Sequence, residues 1–244
     1  RQWSRGLGDV YKRQDTTPSI IEESFIEIEE AASEIYSGKA VPLALGGDGN
    51  ITLPLLRAAS KAHSDLVVVH IDAHTDTYRG DGNQDYMRFN VATTFTRAAE
   101  EALIDVESSI HVGARGPTND SGVFNHTRDV GYGLIDSTEL FNAGLRNTAK
   151  NIVESLKGRS VYLCFDMDFF DPSCAPGVCT PTWGGATSRE GLDFLQNLTG
   201  LNLVGADINT VSPPHDISGM TAFLAATVGL EILSVICHSK GLVE

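Results

Sequence analysis

Two short acidic clusters, each placed directly after an apolar run, constrain the fold of this chain most strongly. Residues 72–76 read Asp-Ala-His-Thr-Asp and follow the run at 66–71, and residues 166–168 read Asp-Met-Asp and follow the run at 160–165. Side chains alternate faces along an extended backbone with a period of two. Each cluster is therefore expected to point its polar side chains in one direction: Asp72, His74 and Asp76 in the first, and Asp166 and Asp168 in the second.

Patterns typical of strands alternate with patterns typical of helices along the chain. Strands are predicted over 41–45, 66–71, 110–113, 133–135, 160–165 and 201–206, and helices over 18–36, 52–63, 93–103, 137–156, 188–198 and 221–236. This alternation predicts a three-layer α/β fold with a doubly wound, mostly parallel sheet. The segments 79–92, 116–129 and 171–187 are predicted loops, and the last helix is apolar nearly all round, which predicts burial.

In doubly wound sheets the functional site lies outside the carboxyl ends of the strands. Four polar segments follow predicted strands directly, at 46–50, 72–76, 166–168 and 207–213. The fold pattern and the polar chemistry thus point to the same edge of the sheet.

Composition limits the organisation and the class of partner. Residues 1–14 show neither helical nor strand periodicity and are predicted to be a foreign or disordered extension, which leaves 15–244 as one domain. The net charge of −14 argues against nucleic acid and anionic membrane as partners. The apolar runs look far shorter than the roughly 18 residues of a membrane span. No signal peptide is visible, and the four cysteines suggest free thiols, so a cytoplasmic protein is expected.

Four carboxylates and one imidazole at the ends of two strands would repel one another unless cations held them. Hard carboxylate oxygens with a single imidazole suit Mn²⁺ better than the ligand sets that Zn²⁺ favours, with Ni²⁺ as an alternative. Two divalent ions would balance the four carboxylates, and in two-metal hydrolases such ions share a nucleophilic water. The sequence therefore predicts a site for two divalent cations.

The order of the motifs resembles the ureohydrolase family, which includes arginase and agmatinase. The resemblance is carried by Gly-Gly-Asp at 46–48, Asp-Ala-His-Thr-Asp-Thr-Tyr at 72–78, Phe-Asp-Met-Asp at 165–168 and Gly-Ala-Asp at 205–207. It covers roughly residues 18–240 and leans towards the agmatinase branch. The family members usually carry a further strand-and-loop unit before residue 18, so the N-terminal unit is expected to be missing here.

The resemblance implies a ligand set and a reaction. Asp72 and Asp166 would bridge two Mn²⁺ ions, Asp76 would complete one metal, and His74 and Asp168 would complete the other. A bridging hydroxide would attack the carbon of a guanidino or amidino group and release urea and an amine. The resemblance also implies a homo-oligomer, a trimer or a hexamer. It leaves the catalytic acid–base residue of this chain unknown.

Three positions depart from the family pattern. Gly49 stands where the family places a metal-binding histidine, the segment 88–93 lacks the histidine thought to shuttle protons, and Thr210 stands where a glutamate pairs with the guanidinium. A neutral hydroxyl cannot provide the charge-assisted contact that a guanidinium favours. Thr210 and Asn90 are kept as candidate substrate contacts.

Two functional hypotheses follow from this pattern. The first is a working agmatinase-like hydrolase, because five ligands are intact. The second is a catalytically impaired homologue that acts as a structural or regulatory subunit beside an active paralogue, because three residues that carry chemistry have changed together.

Overall fold

A six-stranded parallel sheet forms the centre of the molecule. The computed structural model describes residues 21–80, 88–118 and 120–243, so the predicted extension at 1–14 lies outside the described residues. The strands are β1 (Leu43–Leu45), β2 (Leu66–Ile71), β3 (Ile110–Val112), β4 (Gly133–Ile135), β5 (Ser160–Asp166) and β6 (Asn202–Asn209). Their order is β1-β6-β5-β2-β3-β4, and every neighbouring pair is parallel. The predicted doubly wound α/β fold is therefore confirmed.

Helices cover both faces of this sheet. They are α1 (Ile21–Ser37), α2 (Thr52–Ala62), α3 (Thr94–Glu100), α4 (Val123–Val130), α5 (Ser137–Ala143), α6 (Leu145–Ser155), α7 (Ser188–Gln196) and α8 (Met220–Ser239). Every residue of β2 and β5 is buried, because these central strands are covered on both faces. One core packs Phe25 and Leu56 against Val68, and the other packs Phe194 and Ile232 against Leu163.

The chain winds away from β2 in both directions, which places a topological switch in the middle of the sheet. It passes from β2 to β3 and β4 on one side and then returns to β5 and β6 on the other side. A crevice forms outside the carboxyl ends of two strands where the winding changes direction. These two strands are β2 and β5, which carry the acidic clusters.

Two segments differ from the expected secondary structure. The predicted loop at 116–129 contains all of α4 except its last residue; this helix is only eight residues long and mostly polar, so the sequence resembled a loop. The single helix expected over 137–156 is two helices, α5 and α6, because Gly144 adopts a φ of 83° that a helix cannot continue through.

Helix α8 differs from the expectation of full burial. Val228, Ile232 and Val235 are buried in the core next to β6, whereas Phe223 is 71% and Leu230 67% exposed. The helix therefore has one buried face and one apolar face open to solvent.

The apolar content of α8 also corrects the expectation about apolar runs. Within the described residues, α8 is the one helix that is long and apolar enough to cross a membrane, with a mean hydropathy of 2.0 over its best window. That window is 33% buried, and length and composition alone do not separate a membrane span from a core helix. The absence of a membrane partner stays a prediction.

Candidate metal centre

The two acidic clusters meet at the carboxyl ends of β2 and β5. These strands are paired in parallel with Ile71 opposite Phe165, so the residues that follow them emerge side by side. His74 Nδ1 lies 3.1 Å from Asp168 Oδ2, and the backbone N–H of Ala73 donates to Asp168 Oδ1 over 3.1 Å. The structure thus brings the two predicted clusters into direct contact.

Tight turns, rather than an extended strand, bring these side chains together. Strand β2 ends at Ile71, and Asp76 has a φ of 50°, in the left-handed region. Asp168 lies in a 3-10 turn that follows β5. The predicted convergence is correct for Asp72, His74 and Asp168, but the reason given from period-two alternation is wrong, because the strands end before the clusters do.

Asp72 is shared by two groups of possible metal ligands. The donor atoms of His70, Asp72 and Asp76 all lie within 4.8 Å of one another, and so do those of Asp72, His74 and Asp168. One oxygen of Asp72, Oδ2, lies 2.9 Å from His70 Nε2. The other oxygen, Oδ1, accepts the His74 backbone N–H over 2.6 Å. The two oxygens of one carboxylate therefore face two neighbouring groups, and the donor chemistry suits two hard divalent cations.

Asp166 lies beside these groups and is held by two hydrogen bonds. The backbone N–H of Asp168 donates to Asp166 Oδ1 over 2.9 Å, and the hydroxyl of Thr210 donates to the same oxygen. Asp166 belongs to neither ligand group within the described residues. A bridging role for Asp166 therefore stays a prediction.

The site is crowded with buried negative charge. Burial, and then the charge of Asp168, raises the pKa of Asp72 to about 8. Burial likewise raises the pKa values of Asp76 and Asp166 well above the usual range, again with help from neighbouring carboxylates. Burial acts to lower the pKa of His74, but hydrogen bonds to Asp168 and Asp72 outweigh it and raise that pKa to about 12.

Apart from His74, whose raised pKa favours its charged form, positive side chains supply little of the missing charge. In the part of the chain that the structure describes, no lysine or arginine nitrogen comes within 4.0 Å of these carboxylate oxygens. The buried guanidinium of Arg115 donates to the backbone carbonyl of Asp168 over 2.7 Å instead of to its carboxylate. Because isolated buried carboxylates are costly, bound cations are the compensation that fits this arrangement.

The three departures from the family pattern take definite positions in the structure. Gly49 is buried, and a Cβ atom added to it would lie 3.5 Å from Asp76 Oδ2, so position 49 borders the centre. Segment 88–93 contains the 3-10 turn Val91–Thr93. Asn90 caps this turn, and its Oδ1 accepts the Ala92 backbone N–H over 3.0 Å. The Thr210 hydroxyl faces Asp166. Substrate contacts by Asn90 and Thr210 stay predictions, and each side chain already has a partner within the protein.

Sequence reasoning gave no role to several residues around the centre. His70 lies two positions before Asp72, and this spacing is the sequence signal that could have placed His70 on the same side of the chain as Asp72. Thr180 donates its hydroxyl to Asp168 Oδ2 over 2.8 Å, and Arg115 lies behind the same residue. No local signal marked Thr180 or Arg115, because each reaches the centre from a distant loop. His126 and His215 belong to neither ligand group among the described residues.

A parallel, doubly wound sheet with shared carboxylate ligands at its switch point defines an arginase-like α/β protein. The sequence profile of the Arginase family matches residues 7–234. The chain belongs to the Arginase family.

Relatives of known activity are similar over most of the chain. Guanidinobutyrase from Pseudomonas aeruginosa is 37% identical over 86% of this chain and 65% of its own length. Agmatinase from Neisseria meningitidis is 38% identical over 86% of this chain and 64% of its own length. The solved structure of proclavaminate amidino hydrolase from Streptomyces clavuligerus is 34% identical, with a TM-score of 0.83 over 91% of this chain and 73% of that one. The chain thus spans just under two thirds of these curated relatives.

Proposed function

We propose that the protein is a metal-dependent hydrolase that cleaves the C–N bond of a guanidino or amidino compound and releases urea and an amine. The observation that carries this proposal is the pair of ligand groups that share Asp72 at the switch point of the sheet. Agmatinase and guanidinobutyrase among the relatives support the same class of substrate. The proposal concerns the agmatinase-like or guanidinobutyrase-like branch of the family.

The residues of the chain would prepare this chemistry by holding ligands in place. Two divalent cations, when bound, would supply Lewis acidity and lower the pKa of a shared water. Asp72 and Asp76 would hold one cation, while Asp72, His74 and Asp168 would hold the other. The hydroxyls of Thr210 and Thr180 donate to Asp166 and Asp168, the two carboxylates of the second cluster, which limits the rotation of these carboxylates. Mn²⁺ is the proposed metal and Ni²⁺ the alternative.

Urea release from a panel of substrates tests the proposal. Purified protein is loaded with Mn²⁺ or Ni²⁺ and assayed for urea on agmatine, guanidinobutyrate, arginine and guanidine, and for formamide on formiminoglutamate. We expect urea from at least one compound and its loss in Asp166→Asn. The matched control is Asp129→Asn, since Asp129 is exposed on α4. Absence of both urea and formamide across the panel, with metal shown to be bound by elemental analysis, would contradict the proposal.

A second candidate is a catalytically impaired homologue with a structural or regulatory role. The observation that favours it is the set of three changes, at Gly49, Thr210 and the histidine-free segment 88–93. It predicts that Mn²⁺ raises the melting temperature although no substrate turns over. It also predicts that the double variant Gly49→His with Thr210→Glu recovers little or no activity. Robust urea release by the wild type would rule this candidate out.

Assembly and location are part of the same proposal. We propose a homo-oligomer, a trimer or hexamer, in the cytoplasm, with a small guanidino or amidino compound as its substrate and no nucleic acid or membrane as a partner. Light scattering on the eluted protein measures the oligomeric mass. A monomeric mass over the whole accessible concentration range would contradict the oligomer, and a paralogue that co-purifies would favour the mixed assembly.

A further inference from the structure

We propose that His70 is a ligand of the cation held by Asp72 and Asp76, and that it supplies the nitrogen donor that Gly49 cannot provide. This inference rests on the proposed metal-dependent function. It assigns a metal-binding role to a histidine beneath the acidic cluster.

The placement of three donor atoms is the first argument. His70 Nε2 lies 2.9 Å from Asp72 Oδ2. The ligand atoms of His70, Asp72 and Asp76 all lie within 4.8 Å of one another. The exposed fraction is 1% for His70, 2% for Asp72 and 8% for Asp76. A cation bound at this point would be sequestered from solvent and would meet two carboxylates and one imidazole, a donor set that Mn²⁺ accepts.

The His70 ring is oriented before any metal binds. His70 lies within β2, opposite Cys164 of β5 and His111 of β3, so hydrogen-bonded strands hold its backbone on both sides. Its ring packs against Phe95 with 4.3 Å between the ring centroids. A ligand on a rigid strand keeps its direction better than one on a loop, which reduces the entropy lost on metal binding.

His111 provides the outer contact that a metal-bound histidine requires. His70 Nδ1 lies 2.8 Å from His111 Nδ1, and both rings are buried. A histidine that binds metal through one ring nitrogen almost always donates the N–H of the other nitrogen to a neighbouring acceptor. His111 Nδ1 can be that acceptor when its own proton is on Nε2.

The proton count of the histidine pair allows this change. With no metal and an ionised Asp72, the two contacts are satisfied when His70 Nε2 donates to Asp72 and His111 Nδ1 donates to His70 Nδ1. With a metal bound to His70 Nε2, His70 Nδ1 would donate to His111 Nδ1, and the remaining proton would lie on His111 Nε2. Each ring carries one proton in both arrangements. His111 Nε2 has no hydrogen-bond partner among the described residues, so the change breaks no bond at that atom.

Position 49 explains why a second nitrogen source matters here. A side chain at Gly49 would begin 3.5 Å from Asp76 Oδ2, the same carboxylate that belongs to the His70 group. Glycine offers no side-chain donor at that point. His70 approaches the same ligand group from the strand below, and therefore compensates for the missing donor.

Cadmium NMR tests the ligand directly. Protein labelled with ¹⁵N-histidine is loaded with two equivalents of ¹¹³Cd²⁺, and the splitting of each ¹¹³Cd signal by a bound ¹⁵N is recorded. We expect two signals, each split by one nitrogen. The variant His74→Gln should remove one splitting and His70→Gln the other. The control His215→Gln should leave both, because His215 is exposed and bonded to Ser212.

Glutamine at position 70 can still donate a hydrogen bond to Asp72, so His70→Gln separates a ligand from a purely structural partner. We expect the Mn²⁺ affinity of one site to fall at least about tenfold in this variant. An unchanged affinity and unchanged ¹¹³Cd spectrum would overturn the proposal. A wild-type spectrum with only one split signal would also overturn the proposal, and this measurement does not depend on the folding of a variant. A complete absence of cadmium binding would overturn it as well.

The outcome of this test is separate from that of the urea assay. One split signal together with Mn²⁺-dependent urea release would overturn the role of His70 and leave the hydrolase function intact. Two split signals without urea release would support the role of His70 and contradict the hydrolase function.

Discussion

Thr210 adopts a left-handed backbone conformation with a φ of 70°, which is rare for a β-branched residue. Two backbone hydrogen bonds hold it there: its N–H donates to Gly47 over 2.7 Å, and its carbonyl accepts from Cys179 over 3.2 Å. This conformation directs the hydroxyl towards Asp166. The strain at Thr210 is therefore associated with the positioning of a candidate metal ligand.

Replacement of Thr210 by valine tests this positioning. Valine has the same shape but cannot donate to Asp166, so we expect Mn²⁺ affinity to fall about 10–100-fold. The affinity is measured by titration with detection of free Mn²⁺. Thr227→Val is the matched control, because the Thr227 hydroxyl bonds to the Phe223 carbonyl within α8. Equal affinities for the two variants would show that Thr210 does not position a ligand.

Asp207 follows the family-like Gly-Ala motif but lies within β6 and not at the metal centre. Its carboxylate accepts hydrogen bonds from the Tyr162 hydroxyl and from Asn209 Nδ2, both over 2.7 Å. Burial raises the pKa of Asp207 from 3.8 to about 6, although these hydrogen bonds oppose the rise. The folded state therefore holds this proton more tightly than the unfolded chain does.

The pH dependence of stability follows from that difference. The contribution of Asp207 is fully present below about pH 4 and is lost as the pH rises through about 6, a change of about 3 kcal/mol. We expect Asp207→Asn to remove this part of the slope. Urea denaturation of metal-free wild type and variant between pH 4 and 7 measures it. Parallel stability curves for the two proteins would contradict the assignment.

At the scale of single elements, the helix ends are where local sequence and structure agree best. Helix α7 begins with a capping box in which Thr187 accepts from the Glu190 backbone and Glu190 accepts from the Thr187 backbone. This Thr-x-x-Glu pattern is a local signal, and the predicted start at residue 188 is correct. Gly144 is also a local signal: it ends α5 and precedes α6, and it thereby divides the single helix predicted over 137–156.

The cap of α7 gives a prediction about stability. Thr187→Ala removes an acceptor for the backbone N–H of Glu190, and we expect the free energy of unfolding to fall by about 1 kcal/mol. Chemical denaturation followed by circular dichroism provides the measurement. The control Thr199→Ala changes an exposed threonine outside any helix and should alter stability by less than about 0.5 kcal/mol. A loss no larger for Thr187→Ala than for this control would argue against the cap.

At the scale of the whole molecule, α8 has two apolar faces with different surroundings. Ile232 is fully buried near β6, while Leu230 is 67% exposed. Apolar residues lie on both faces of α8, so residue spacing alone does not predict which face is covered. Packing of α7 and β6 against one side decides it.

Two alanine variants separate the faces of α8. Ile232→Ala leaves a cavity in the core, and we expect it to cost about 2–5 kcal/mol. Leu230→Ala should change the free energy of unfolding by less than about 0.5 kcal/mol in the isolated chain. Both are measured by chemical denaturation at low protein concentration. A large loss for Leu230→Ala that grows with protein concentration would instead place this face in the proposed oligomer interface.

The sequence by itself determined the class of fold and the place of the two acidic clusters that form the candidate metal centre. Alternating apolar runs are local patterns, and the strands they predict, with the clusters Asp72–Asp76 and Asp166–Asp168 directly after them, require no knowledge of distant contacts. The order of strands then places both clusters at one switch point. Tertiary structure alone decided the remainder: the contacts of His111, Thr180 and Thr210 within the candidate centre and the exposed face of α8. These depend on contacts between segments that are distant along the chain, and residue spacing carries no direct signal for such contacts.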